Sequence, residues 1–431
     1  MFAWSVLLVA LLFIASGRFR IELAALGALL ILGISGIAPV DIVFSGFGNS
    51  ALATIIAVFL VSQGIIDSGL MRGLGQALAR RFLGLRGQVL SLALAGALIS
   101  AFMNNVGAVG LLLPTAVRMA GRFGCRSGSF GLPLAVASLL GGTLTLIGSA
   151  PNIIVASYMF STTGQSFKMF DFAPHGLAMI GIALLLWYIC KSCGLDPGAS
   201  GGAVDGGTEA EAHDLPEKEL THAPAEEIIP FAPLAPGKRR FTFVVILAAV
   251  LAVSLDLIHP ALGFGGAAFL LILFGVLKLP EAYESVDLKI VFFLGAMLGI
   301  GRILEYTGSL ELLSDFFAQS AAGLSPFWLV ALLVFVSSAL SNAINNAAAA
   351  VFMAPLAAGL AAANNLETGA ALMAVAAGSN MTLLLPTHQA VLMVMSRAPF
   401  AVPSFLKAGL VLTFCCGLAA AATIFFVWQQ H

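Results

Sequence analysis

Apolar runs long enough to span a bilayer recur along the whole chain, and the polar residues that interrupt them define a plan. Runs at 2–16, 21–38 and 50–66 predict three spans. A basic, helix-like segment with Arg72, Arg80, Arg81 and Arg86 follows. Residues 87–119 are apolar on both sides of Asn104-Asn105, which predicts a re-entrant helical hairpin that turns at the Asn pair. Residues 130–160 predict a span broken at Gly148-Ser149-Ala150-Pro151-Asn152, where proline and glycine interrupt the helical ladder. Unwound backbone at membrane depth is tolerated only where it lines a cavity or is buried in protein. A span at 174–193 closes this set.

The second half repeats the plan. Spans are predicted at 241–258, 261–277 and 288–304, then an amphipathic piece near 308–320. A hairpin covers 325–361, and a span over 368–396 is broken at Leu385-Pro386-Thr387-His388-Gln389. A last helix runs from 404 to 428. Residues 194–239 are instead rich in Gly, Pro, Ala and acids, a composition that cannot bury a core and reads as a disordered linker. The domains expected are a first repeat (1–193), a cytoplasmic linker (194–239) and a second repeat (240–431). The two hairpins share one motif, a serine, an Asn-Asn pair, eight small or apolar residues and a proline, over Ser100–Pro114 and Ser341–Pro355. Each half holds an odd number of crossings, so the repeats are expected to be inverted. The fold class is therefore all-α and polytopic: two inverted repeats, each with five spans, one re-entrant hairpin and a broken helix.

Composition agrees. The chain is 60% hydrophobic and 10% charged, against about 25% charge in soluble domains. It is read as a multi-pass protein of the plasma membrane (a bacterial inner membrane), with the lipid bilayer as an obligatory partner. Arg18 and Arg20 follow the first apolar run, the reverse of a signal peptide, so that run is expected to be a retained helix starting outside. All the lysines and arginines except Lys168 and Arg302 then fall on the cytoplasmic side, as the positive-inside rule asks, and the C-terminus lies outside. The net charge of −1 says nothing about a nucleic-acid partner, but no basic, aromatic-laced patch appears, so none is expected. The five cysteines make no disulfide framework, and Cys190 and Cys193 read as residues at a helix end.

The Asn pairs carry the candidate chemistry. An unpaired amide in an apolar segment costs roughly 2–7 kcal/mol, so amides at two matching positions point to use. The bland reading is that Asn and Ser glue helices together at about 0.6–2 kcal/mol each. Two hairpins facing two broken helices is the arrangement of a secondary transporter with its site at the midplane. First arms end in free carbonyls suited to a cation; second arms begin with free N–H groups suited to an anion. Asn105, Ser100 and Ser149 could complete one hard-cation site, and Asn346, Ser341 and Thr387 a second. No lysine or arginine lies at any of these breaks, so an anion there would rely on helix ends, amides and co-bound cations. His388 suits either a proton carrier or a hydrogen-bond donor to substrate. Asp67 and Glu305 are expected to be solvated or paired, Glu305 with Arg302 at i, i+3, whereas His175, His259 and Asp256 should face water. No nucleophile–base pair or set of metal ligands gathers at one depth, which argues against an intramembrane enzyme.

The S-x3-N-N-x8-P hairpins, with Gly-Gly-Thr-Leu-Thr-Leu-Ile-Gly-Ser-Ala-Pro-Asn at 141–152, resemble the divalent anion/sodium symporter family of dicarboxylate, citrate and sulfate carriers, within the ion transporter superfamily. The resemblance covers both halves. It implies sodium-coupled symport of a small divalent anion by alternating access, with sodium as coupling ion and no other cofactor. It implies one sodium site from Ser100, Asn104, Asn105 and Gly148, and a second from Ser341, Asn345, Asn346 and Pro386. Substrate would touch Asn105, Val106, Ser149, Asn346, Ala347, Thr387 and His388. The second half departs from the family pattern: Ala347 has no hydroxyl, and Thr387-His388-Gln389-Ala390-Val391 lacks the final asparagine. The resemblance also implies a homodimer moving substrate by an elevator-type shift. The rival readings are a cation/proton antiporter or oxyanion efflux carrier of the same superfamily, and a non-transporting membrane scaffold.

Overall fold

The computed structural model describes residues 5, 6, 9, 13, 20–69, 84–165, 167–189, 236–309, 323–364, 366–398 and 400–428. Most of the expected first span, the arginine-bearing stretch from 70 to 83, the linker up to 235, the segment 310–322 and Cys190 and Cys193 lie outside the described residues.

The described residues are almost wholly helical and contain no strand. The first half comprises α1 (Ile21–Ile34), α2 (Val40–Phe44), α3 (Ser50–Ser68), α4 (Leu85–Ser100), α5 (Asn105–Phe123), α6 (Gly128–Gly141), α7 (Ala150–Thr163) and α8 (Ala173–Ile189). The second comprises α9 (Pro236–Ser254), α10 (Pro260–Leu273), α11 (Leu279–Ser285), α12 (Leu288–Tyr306), α13 (Pro326–Ala343), α14 (Asn346–Ala363), α15 (Thr368–Asn380), α16 (Gln389–Arg397) and α17 (Val402–Trp428). Among these residues five helical stretches are long and apolar enough to cross a membrane, and six shorter apolar helices accompany them. The protein is a multi-pass membrane protein.

The hairpins form where the Asn pairs predict them, as α4–α5 and α13–α14, and the broken spans as α6/α7 and α15/α16. Other boundaries move for local reasons. The run 21–38 stops helically at Ile34, because Gly36 takes a left-handed φ of 71° and Pro39 cannot continue a helix. α9 starts at Pro236, inside the stretch read as linker, with proline in the first turn where its missing N–H is harmless. His175 was expected to face water; it is 1% exposed inside α8, its ring edge-on to Phe172. Asp67 is likewise buried, at 6% exposure, with Gln63 Nε2 donating to Oδ1 at 2.8 Å. Arg302 and Glu305 pair as expected, at 2.9 Å.

The packing is reciprocal between the halves. α1 lies on α12 and α3 on α10, each pairing a second span with the other half's third. α7 packs on α14 and α15; with the halves exchanged, α16 packs on α5 and α6. α8 and α17, the closing helices of the two halves, pack on each other. Two glycines let each hairpin touch its own broken span. A Cβ on Gly141 would stand 2.3 Å from the Ala97 carbonyl oxygen, and one on Gly378 would stand 2.2 Å from that of Val334. Only glycine allows backbones this close. These contacts bring both hairpin tips and both breaks into one region.

Candidate functional site

Each Asn pair divides its labour at the tip. Asn104 caps α5, its side-chain oxygen accepting from Val106 N–H at 3.1 Å; Asn345 caps α14, accepting from Ala347 N–H at 2.8 Å. An Asn at this position satisfies one of the orphan donors of the helix start. The second members lie differently, Asn105 buried and Asn346 half-buried. Asn105, 5% exposed, accepts a hydrogen bond from Ser100 Oγ at 2.7 Å. The second hairpin differs: Ser341 Oγ donates to the Ser379 carbonyl at 2.6 Å, and Asn346 Oδ1 accepts from Ala347 N–H at 3.0 Å. The serine-to-asparagine pairing of the first tip is therefore not repeated in the second.

The breaks are stitched by two asparagines that sequence reasoning did not place in the site. In the first, Asn152 Nδ2 donates to the carbonyls of Gly142 (2.9 Å) and Thr145 (2.7 Å). Thr145 Oγ1 donates to the Ala101 carbonyl and accepts from Gly148 N–H, tying the break to the first hairpin tip. In the second, Asn342 of α13 spends both amide hydrogens on the carbonyls of Ser338 and Met381, and its oxygen accepts from Leu384 and Leu385 N–H at 2.9 and 3.0 Å. Asn380 joins the two breaks: its oxygen accepts from Ser149 Oγ, and its Nδ2 donates to Asn152 Oδ1 at 2.8 Å and to the Ala376 carbonyl. The detectable signal for Asn380 was an Asn inside the apolar run 368–384.

Between tips and breaks lies a cavity of about 320 Å³. Asn104, Asn105, Val106, Gly148, Ser149, Ser341, Asn345, Asn346, Ala347, Thr387 and His388 all line it. Ser100 lies behind Asn105, fully buried, and Pro386 is not among the lining residues. His388 caps α16, its Nδ1 accepting from Ala390 N–H at 3.1 Å. That bond puts the neutral ring's proton on Nε2, which is then a donor toward the cavity. Thr382 also lines the cavity; its hydroxyl, buried with no hydrogen-bond partner, is an oxygen available to a cation.

Five helices present their N-termini here: the cap residues Asn104 (α5), Ser149 (α7), Asp287 (α12), Asn345 (α14) and His388 (α16) are all lining residues. Four of these starts carry roughly half a positive charge each and favour an anion by about 0.3–2 kcal/mol according to burial, whereas the Asp287 carboxylate offsets that of α12. α12 also brings charge that the breaks themselves lack. Lys289, in its first turn, lines the cavity with Asp287, whose Oδ1 accepts from Lys289 N–H at 3.0 Å. Amides, hydroxyls and convergent helix starts suit a small anion with weakly held cations beside it.

Comparison with known proteins agrees with the fold. A family model described as "CitMHS: Citrate transporter" matches residues 10–378. The chain is 29% identical to an uncharacterized transporter of Escherichia coli K12 over 43% of its own length and 31% of the relative's. It is 30% identical to sodium/sulfate cotransporter 2 of Chlamydomonas reinhardtii over 33% of its length and 17% of the relative's. The chain thus spans under a third of the length of these two relatives. The crystal structure of the Alcanivorax borkumensis YdaH transporter superposes with a TM-score of 0.62 at 15% identity, covering 91% of this chain and 88% of that one.

Proposed function

The chain belongs to the CitMHS citrate-transporter family, and from that premise we propose that it is a secondary active symporter coupling sodium entry to uptake of a small divalent anion, a dicarboxylate or sulfate. The observation that carries this reading is the convergence of four helix N-termini with uncharged caps, those of α5, α7, α14 and α16, on a cavity floored by Asn105 and Asn346. A doubly charged solute at membrane depth needs compensation, since one charge there costs at least ~3 kcal/mol. Sodium beside Ser100, Asn105 and Gly148 supplies part of it, with a second ion near Ser341, Asn346 and Thr382. The reciprocal packing of the halves supports alternating access by inverted repeats. Two copies make the working assembly.

The test is a thermal-shift panel of sulfate, succinate, citrate and malate on purified protein, each in sodium or potassium, followed by uptake into proteoliposomes. One anion should stabilise the protein in sodium alone, and Asn105→Ala should abolish its uptake without loss of protein from the membrane. Equal stabilisation in potassium, or uptake driven by a pH gradient without sodium, would replace symport by a proton-coupled mechanism. Wild-type uptake by Asn105→Ala would remove the hairpin tips from the mechanism.

A further inference from the structure

Each hairpin and break has an assigned part in the reading above, but the cationic side chain in the same cavity does not. Lys289 belongs to α12, which packs on α1, α3 and the second hairpin arm α14. Lys289, Ile290 and Phe293 line the cavity together, at the i, i+1 and i+4 spacing of one helix face. Among the described residues, Lys289 is the one lysine or arginine in that lining.

Three features set it apart from a membrane-boundary lysine. First, it stands in the opening turn of a helix, the end at which the macrodipole gives a cation no favourable partner. Second, its neighbour Asp287 is engaged in capping, accepting from the Lys289 backbone N–H at 3.0 Å. The carboxylate offsets the helix start while the ammonium is in neither of the ion pairs among the described residues. Lys278 and Arg302, by contrast, are paired with Glu281 and Glu305. Third, the side chain is exposed, and the surface it shares is the cavity containing Asn345 and Asn346.

We propose that Lys289 is a substrate-binding residue, whose ammonium meets the second negative charge of a dianion held at the hairpin tips and so sets preference for doubly over singly charged anions. The helix starts and amides provide diffuse positive potential that one carboxylate satisfies; a point charge on a flexible stem at the cavity wall is what a second carboxylate adds a use for. This rests on the anion-transport reading and names the residue that discriminates within it.

The test compares succinate with succinamate, a monoanion of nearly the same shape, for binding and sodium-driven uptake at neutral pH by the full chain. Wild type should favour succinate by tenfold or more. Lys289→Gln should reduce that ratio below threefold by weakening succinate far more than succinamate, and Lys289→Arg should retain most of it. A lysine serving only as a boundary anchor would lower the amount of protein in the membrane without changing the ratio. An unchanged ratio in Lys289→Gln overturns the proposal and leaves the anion-transport reading standing. Wild-type protein that takes up neither these anions nor sulfate or citrate overturns both.

Discussion

Replacing Asn380 by alanine tests whether the two breaks are held as one unit. Asn380 accepts from Ser149 Oγ and donates to Asn152 Oδ1, and these partners are 8% and 0% exposed. Truncation leaves the Ser149 hydroxyl and Asn152 Oδ1 without a protein partner where water is largely excluded. Each orphaned group costs about 1–3 kcal/mol, so Asn380→Ala should destabilise by roughly 2–6 kcal/mol. Ser149→Ala alone orphans only the Asn380 oxygen and should cost about 1–3 kcal/mol. In the double variant that orphan and the Ser149 hydroxyl disappear together, leaving Asn152 Oδ1 unmatched. The double variant should therefore cost less than the sum of the singles by at least ~1 kcal/mol, beyond the roughly 0.3–0.5 kcal/mol within which independent sites add. Chemical unfolding in mild detergent, followed by tryptophan fluorescence, reads all three variants against wild type. Strict additivity, or Asn380→Ala as stable as wild type, would refute a structural bridge between the halves.

Other outcomes follow from the same geometry. A Cβ at Gly142 would stand 2.6 Å from Asn105 Oδ1 and 3.3 Å from Ser149 Cβ, so Gly142→Ala should cut sodium-driven uptake at least tenfold with the protein still in the membrane; wild-type rates would show that Asn105 need not hold its position. Asn345→Ala removes the cap of α14 and should lower stability by about 1 kcal/mol, whereas Asn345→Asp should retain most of it, as melting curves would report. If Asn345 acts chiefly as a cation ligand, the ranking would instead appear in the sodium dependence of uptake and not in the melting curves.

Local chemistry was legible in the sequence. The Asn pairs located both hairpin turns, and the Gly-Pro interruptions located both breaks, because each acts through its own backbone within a few residues. What the pattern could not supply was who meets whom. Asn380 reaches Ser149 and Asn152 across more than half the chain, and no periodicity encodes that pairing. Asn342 sits beside Ser341 in plain view, yet its role in threading the second break depends on where Leu384 and Leu385 lie in space. Lys289 is one of many cytoplasmic-side cations in the sequence, and α12 brings it to the cavity from a stretch away from either break. His175 looked like a residue at a span end, and its burial beside Phe172 is a product of tertiary packing. The similar tips also differ inside: Ser100 bonds Asn105, but Ser341 turns to Ser379. Equal motifs did not guarantee equal sites.

Because α5, α7, α14 and α16 begin at the cavity on uncharged caps, the positive potential there is written largely in the main chain. Ordinary side-chain replacement leaves peptide dipoles where they are. Such a pocket can drift in size and in polarity while those dipoles stay in place. What cancels one of them is a carboxylate at its cap, as Asp287 already does for α12.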